Sequence, residues 1–191
     1  MTRPPKARNK ILDAAERIVK THGAAKLTFE ELSQESGVTR GGITYHFPTK
    51  ELLLQALVRR DVEHWSSRQA CHMADLEGEP GAEVLAHLRT TTDDDPERQR
   101  FVGGMLGAVA HDPSLLEPVR CFLREHQPID PQMPERELRM WVLRLAADGL
   151  FWMEMLKCTE LPSGMRERVV AEIEKLAREW GQCTKTIERS E

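Results

Sequence analysis

Two helix-start signals, at Thr28 and at Thr39, stand on either side of one glycine, Gly37, and that spacing leaves the chain few folds. The hydroxyl of Thr28 can cap a helix while Glu31, three residues on, reaches back in a T-x-x-E capping box. Only Gly37 and Val38 then precede Thr39, which can cap a second helix that Pro48 stops. Two short helices joined by a glycine-containing turn form a helix-turn-helix. Ahead of it, Ile11, Leu12, Ala15, Ile18 and Val19 share one helical face, and Gly23 closes that helix. Behind it, Thr49 can cap a fourth helix whose Leu52, Leu53, Ala56 and Leu57 form an apolar stripe running toward Trp65.

The same period continues to the end of the chain. Breaks are expected at residues 77–81, 93–96, 112–113, 128–134 and 161–164, where Gly, Pro and Asp cluster, and five further helices lie between them. With one tyrosine and no alternating β-branched run, the chain lacks strand signals. The predicted fold is all-α: an N-terminal three-helix head over residues 1–58, then a larger helical domain over 59–191. In that domain Leu138, Val142, Leu145, Gly149, Trp152 and Leu156 are spaced four and three alternately, the seam of a packed bundle. Met140, Leu143, Ala147, Leu150 and Met153 lie off the seam, so this helix must be covered on more than one side. Met165, Val169, Ile173, Leu176, Trp180 and Cys183 repeat similarly in the last helix.

Charge separates the two parts. The chain carries 27 Lys+Arg against 31 Asp+Glu, but residues 1–60 hold 11 against 6 and the rest 16 against 25. A basic head on an acidic body suits contact with a polyanion through the head alone. The cysteines Cys71, Cys121, Cys158 and Cys183 show no CxxC spacing, and the N-terminus has no apolar signal, so reduced thiols and a cytoplasmic location are expected. The most apolar segment, Met140 to Leu156, is too short for a membrane span and is interrupted by Arg144, Asp148 and Glu154. The scattered histidines suggest no metal, and no cofactor is expected. No nucleophile–base set or phosphate loop points to an enzyme.

The second helix of the pair has the chemistry of a major-groove reader. Arg40, at its start, can pair bidentately with guanine, while Gly41 and Gly42 keep the surface low although each costs about 1 kcal/mol of helix propensity. Thr44 can touch a thymine methyl or a phosphate, Tyr45 and His46 can donate to the backbone, and Lys50 can clamp a phosphate. Thr28 and Thr39, both caps, lie where helix N-termini offer N–H groups to phosphates. Phe47, four residues from Ile43, is expected in the core, and Tyr45 is open to either fate. Arg3, Lys6, Arg8, Lys10 and Lys26 would add salt-dependent affinity.

Residues 28–57, TFEELSQESGVTRGGITYHFPTKELLLQAL, resemble the DNA-binding head of the tetracycline-repressor (TetR) family of bacterial regulators. The strongest part is Gly37-Val38-Thr39 followed by Ile43 through Leu52. The resemblance covers roughly residues 8–58, with a weaker echo at Asp148-Gly149-Leu150. It implies double-stranded operator DNA as partner, a homodimer built on the last two helices, and a small-molecule inducer. Interface residues would be Leu138, Val142, Leu145, Gly149, Leu156, Val169, Ile173, Leu176 and Trp180. Candidate ligand contacts are Phe101, Met105, Trp141, Asp148, Trp152, Met153 and Glu154, whose aromatic faces and carboxylates would suit a lipophilic cation such as a biocide or dye. A ligand wedged against the fourth helix would change the separation of two heads. An architectural DNA-binding protein without inducer, and a redox-responsive regulator using Cys71 or Cys158, are the alternatives.

Overall fold

The computed structural model describes residues 4–158 and 160–182; Arg3 and Cys183 lie outside them. The described residues form α1 (Pro4–His22), α2 (Phe29–Ser36), α3 (Arg40–His46), α4 (Lys50–Asp75), α5 (Ala82–Thr92), α6 (Pro96–His111), α7 (Glu117–His126), α8 (Glu135–Met155) and α9 (Met165–Gln182). Short 3₁₀ turns at Ala24–Lys26 and Pro113–Leu116 complete them, and the all-α expectation is met. Every break falls where Gly, Pro and Asp predicted it. Asp95 caps α6 by accepting from the Arg98 N–H at 2.9 Å, with Pro96 at the first helical position, where its missing N–H costs nothing.

By packing, the chain divides into two compact units, and α4 contributes to both. The first takes residues up to 64 together with 95–128, so the helix-turn-helix is joined by α6 and α7. Its core holds Ile11, Leu12, Ala15, Ile18 and Val19 of α1, Leu32 of α2, Ile43 and Phe47 around α3, Leu53, Leu54 and Leu57 of α4, and Phe101 and Met105 of α6. α1 and α6 approach so closely that a Cβ on Gly104 would stand 2.2 Å from the Val19 carbonyl oxygen. Each fully buried large apolar side chain contributes about 1.5–3 kcal/mol here, and the buried side chains that tie α3 to the other helices are Ile43 and Phe47.

The second unit takes residues 65–94 and those from 129 onward. Leu76, Val84, Leu85, Leu88, Leu143, Ala147, Ile173 and Ala177 form its core between α5, α8 and α9. α5 and α8 run in register: Glu83 accepts from Arg144 at 3.3 Å, and one turn along both helices His87 meets Asp148 at 2.9 Å. α5 and α9 touch through glycine, since a Cβ on Gly181 would lie 2.3 Å from the Gly81 nitrogen.

Candidate DNA-binding surface

The turn between α2 and α3 is built by hydroxyls and one left-handed residue. Gly37 ends α2 at φ 65°, ψ 17°, a conformation in which any side chain would be strained. Ser33 donates to the Val38 carbonyl at 2.8 Å, and the Val38 N–H donates to Ser36 Oγ at 3.2 Å. Thr28 accepts from the Glu31 N–H at 3.1 Å and Thr39 from the Gly42 N–H at 3.2 Å, so both threonines are caps as expected. Thr49 caps α4 through the Leu52 N–H at 3.3 Å. The Glu51 carboxyl is held below the usual range by its own backbone N–H and then by the Thr49 hydroxyl.

With Ile43 and Phe47 turned inward, the opposite face of α3 is left to solvent. Arg40 and Gly41 are exposed, and Tyr45 is 80% exposed, its ring edge-on to His46 at 5.1 Å. A tyrosine that the fold does not bury has its surface free for a partner. The two glycines differ. A Cβ on Gly42 would come within 2.9 Å of Val38 Cγ1, which would have to shift, whereas a Cβ on Gly41 meets nothing within 4 Å among the described residues.

Three polar side chains are already engaged in the unbound chain. Thr44 returns its hydroxyl to the carbonyls of Arg40 and Gly41 at 3.1 and 3.2 Å, and Lys50 donates to the Ala25 carbonyl at 3.3 Å, leaving two further ammonium protons. Arg40 donates to Glu30 of α2, and both side chains are well exposed. Glu30 was not legible as a functional residue: no periodicity links positions on opposite sides of a turn. Arg8 lies over the Phe47 ring at 5.3 Å from its centroid. Lys20, on α1, is raised above its ordinary value: burial would lower it, but Glu16 and Glu97 outweigh that.

On α8, Leu138, Val142, Leu145, Gly149 and Trp152 are exposed, as is Leu156 at its C-cap, while Leu143, Ala147 and Leu150 are buried. On α9, Val169, Leu176 and Trp180 are half-buried against the unit's own core and Ile173 lies in it. Among the ligand candidates, Phe101 and Met105 belong to the first unit's core. In the second unit Trp141 is half-buried and Met153 exposed; Asp148 faces His87, and Glu154 accepts from Arg166 at 2.7 Å.

A capped helix-turn-helix with an outward face of arginine, glycine, tyrosine and lysine, in a chain with a second helical unit, defines a DNA-binding transcriptional regulator. Residues 11–57 match the description "Bacterial regulatory proteins, tetR family", and residues 81–178 match "Tetracyclin repressor-like, C-terminal domain". The chain belongs to the TetR family, a family of regulators and not of enzymes. It is 28% identical over 156 residues to an uncharacterised HTH-type transcriptional regulator of Mycobacterium tuberculosis, covering 76% of this chain and 75% of that one. To the transcriptional repressor AcnR of Corynebacterium glutamicum it is 35% identical over 97 residues, half of this chain and 45% of the other. The crystal structure of the multidrug binding protein EbrR complexed with imidazole superposes with a TM-score of 0.63 at 25% identity, covering 91% of this chain and 90% of that one.

Proposed function

We propose that the chain is a cytoplasmic, homodimeric repressor that holds an inverted-repeat operator until a small lipophilic molecule binds its second unit. The outward face of α8 carries this reading. Six positions at alternating spacings of four and three, five of them large and apolar, are exposed along one helix. No Cβ contact among the described residues requires glycine at Gly149, but close approach of a second helix would. A self-complementary apolar stripe pairs with its own copy about a two-fold axis. Pairing doubles the reading surfaces, and two linked heads read half-sites about 34–36 Å apart. Arg40, Gly41 and Thr44 then face base edges, while Tyr45, His46, Lys50 and the capped N-termini at Thr28 and Thr39 face the phosphate backbone.

Release by a ligand is supported by the relative EbrR, a multidrug binding protein. Moving the operator-bound population from 99:1 to 1:99 needs about 5.5 kcal/mol of differential affinity. A lipophilic cation under efflux control would ask for the carboxylates of Asp148, which His87 already hydrogen-bonds, and of Glu154, which Arg166 already pairs. That favours a lipophilic ligand without net charge, near Trp141, Trp152 and Met153.

Val142→Glu and Gly149→Leu test the assembly, since both positions are exposed and neither change disturbs the core. Light scattering should show dimers for the parent and monomers for the variants. Duplexes selected by the parent from a random pool should be inverted repeats that the variants bind at least tenfold more weakly. A parent that is monomeric at micromolar concentration, or selection of single half-sites, overturns the proposal.

A further inference from the structure

His87 is 5% exposed, in the middle of α5, and its two ring nitrogens fare differently. Nε2 meets the Asp148 carboxylate of α8 at 2.9 Å, whereas Nδ1 is buried with no hydrogen-bond partner among the described residues. With Nε2–H donating to the carboxylate, the neutral ring presents Nδ1 as an acceptor. One turn further along α5, Thr91 is equally buried, and its hydroxyl also has no partner among the described residues. Its neighbours show what a threonine here ordinarily does: Thr90 returns its hydroxyl to the Ala86 carbonyl and Thr92 to the Leu88 carbonyl, each at 2.7 Å. Thr91 alone does not turn back on the helix. The indole of Trp65, on α4, stands edge-on to the His87 ring at 5.4 Å.

Buried polar atoms are nearly always paired, because leaving one unpaired costs about 1–3 kcal/mol. Two such atoms at i and i+4 lie on one helical face, with Cβ atoms about 5–6 Å apart. A single hydroxyl between them closes both: it donates to Nδ1 and accepts from Thr91. A primary ammonium could donate to both Nδ1 and the Thr91 oxygen but would leave the Thr91 proton without an acceptor, and a quaternary ammonium has no proton to donate to either. A carboxylate could accept but not donate, and would meet Asp148. The flanking Trp65 and His87 rings suit an aromatic body, and the Asp148 side chain, 45% exposed, marks the way in from solvent.

We propose that His87 Nδ1 and Thr91 Oγ1 are the polar anchors of an effector site in the second unit, closed by Trp65, for an uncharged aromatic hydroxyl compound of the phenol class. This rests on the ligand-released repressor reading and names its ligand chemistry. Asp148 acts there as the positioning group that fixes the His87 tautomer, not as the counter-charge of a cation.

The test uses the full-length protein with 4-propylphenol, its methyl ether, and benzyltrimethylammonium, each titrated by calorimetry and by release of a fluorescent operator selected by the protein. One 4-propylphenol should bind per chain, and the fluorescence it quenches should be lost in Trp65→Phe. The methyl ether cannot donate and should bind about tenfold more weakly, the worth of one neutral hydrogen bond. Thr91→Val, equal in shape, should weaken the phenol about tenfold, and Thr91→Ser should restore it. Equal affinity for phenol and ether, or indifference to Thr91→Val, overturns the site. Release by benzyltrimethylammonium without phenol binding overturns this site while upholding ligand-released repression. Phenol binding that depends on Thr91 but leaves the operator bound upholds the site and overturns release.

Discussion

Replacing Arg40 with alanine should cost affinity on the operator far more than on random DNA, and Glu30 decides how the loss is to be interpreted. In the free protein the Arg40 guanidinium is paired with the Glu30 carboxylate, but both side chains are well exposed. Such a pair is worth about 0–1 kcal/mol, so stability should barely change. On DNA, a bidentate arginine–guanine contact is worth about 1–3 kcal/mol of discrimination, or roughly 5- to 150-fold in affinity. Random DNA offers Arg40 only phosphates, and there the change should cost about one unit of salt slope and little else. Arg40→Ala also leaves Glu30 as an unpaired carboxylate beside the DNA, so the single variant overstates the guanine contact. Glu30→Gln removes that charge, and the double variant closes the cycle. If Glu30 withholds Arg40 from phosphates, Glu30→Gln alone strengthens random binding more than operator binding. Fluorescence anisotropy with the selected operator and a scrambled duplex, at four salt concentrations, measures all of these quantities. Equal losses on both duplexes for Arg40→Ala would refute the assignment of Arg40 as a base reader.

The two glycines of α3 should separate stability from binding. Gly41→Ala should raise stability by up to about 1 kcal/mol, having no atom to strike, yet weaken operator binding if DNA approaches that face. Gly42→Ala should gain nothing, because Val38 must move; thermal unfolding and anisotropy read both. Lys50→Ala should weaken all duplexes alike and lower the salt slope by about one, and a loss confined to the operator would contradict its phosphate role. Acid should loosen the first unit. There Glu51, held low by its own N–H and Thr49, Asp112, held low by Ser114, and Glu117, held low by Arg124, contribute stability present above the ordinary carboxylate range. That stability is lost as pH falls below about 4, and a unit equally stable to thermal unfolding at pH 3 and pH 6 would refute it.

The helices were legible because their boundaries are local chemistry. Thr28, Gly37, Thr39 and Pro48 fix α2 and α3 through groups within four residues of one another, and Asp95 with Pro96 does the same for α6. The inward and outward faces of α8 were also local, since period alone separates Leu143, Ala147 and Leu150 from the exposed seam. What period could not assign was the use of α9. Ile173 has the seam spacing but is consumed by its own unit's core, because whether an apolar residue meets its own chain or another copy depends on how α5 and α9 close on Gly81 and Gly181.

The polar sites were illegible for the same reason carried further. Sequence spacing places Asp148 and Glu154 beside tryptophans, an arrangement that would suit a cation, but does not say which groups of other helices meet them. Their partners stand at His87 and Arg166, brought by the packing of α8 against α5 in one case and of α9 against the end of α8 in the other. Once those partners are counted, the unmet hydrogen-bonding capacity near Asp148 is not its negative charge but the acceptor nitrogen behind it and the Thr91 hydroxyl one turn away. A histidine among scattered histidines and a threonine in a run of three carry no signal in a linear reading. They become informative only when every buried donor and acceptor is asked for its partner, and the hydroxyl proposal rests on that accounting.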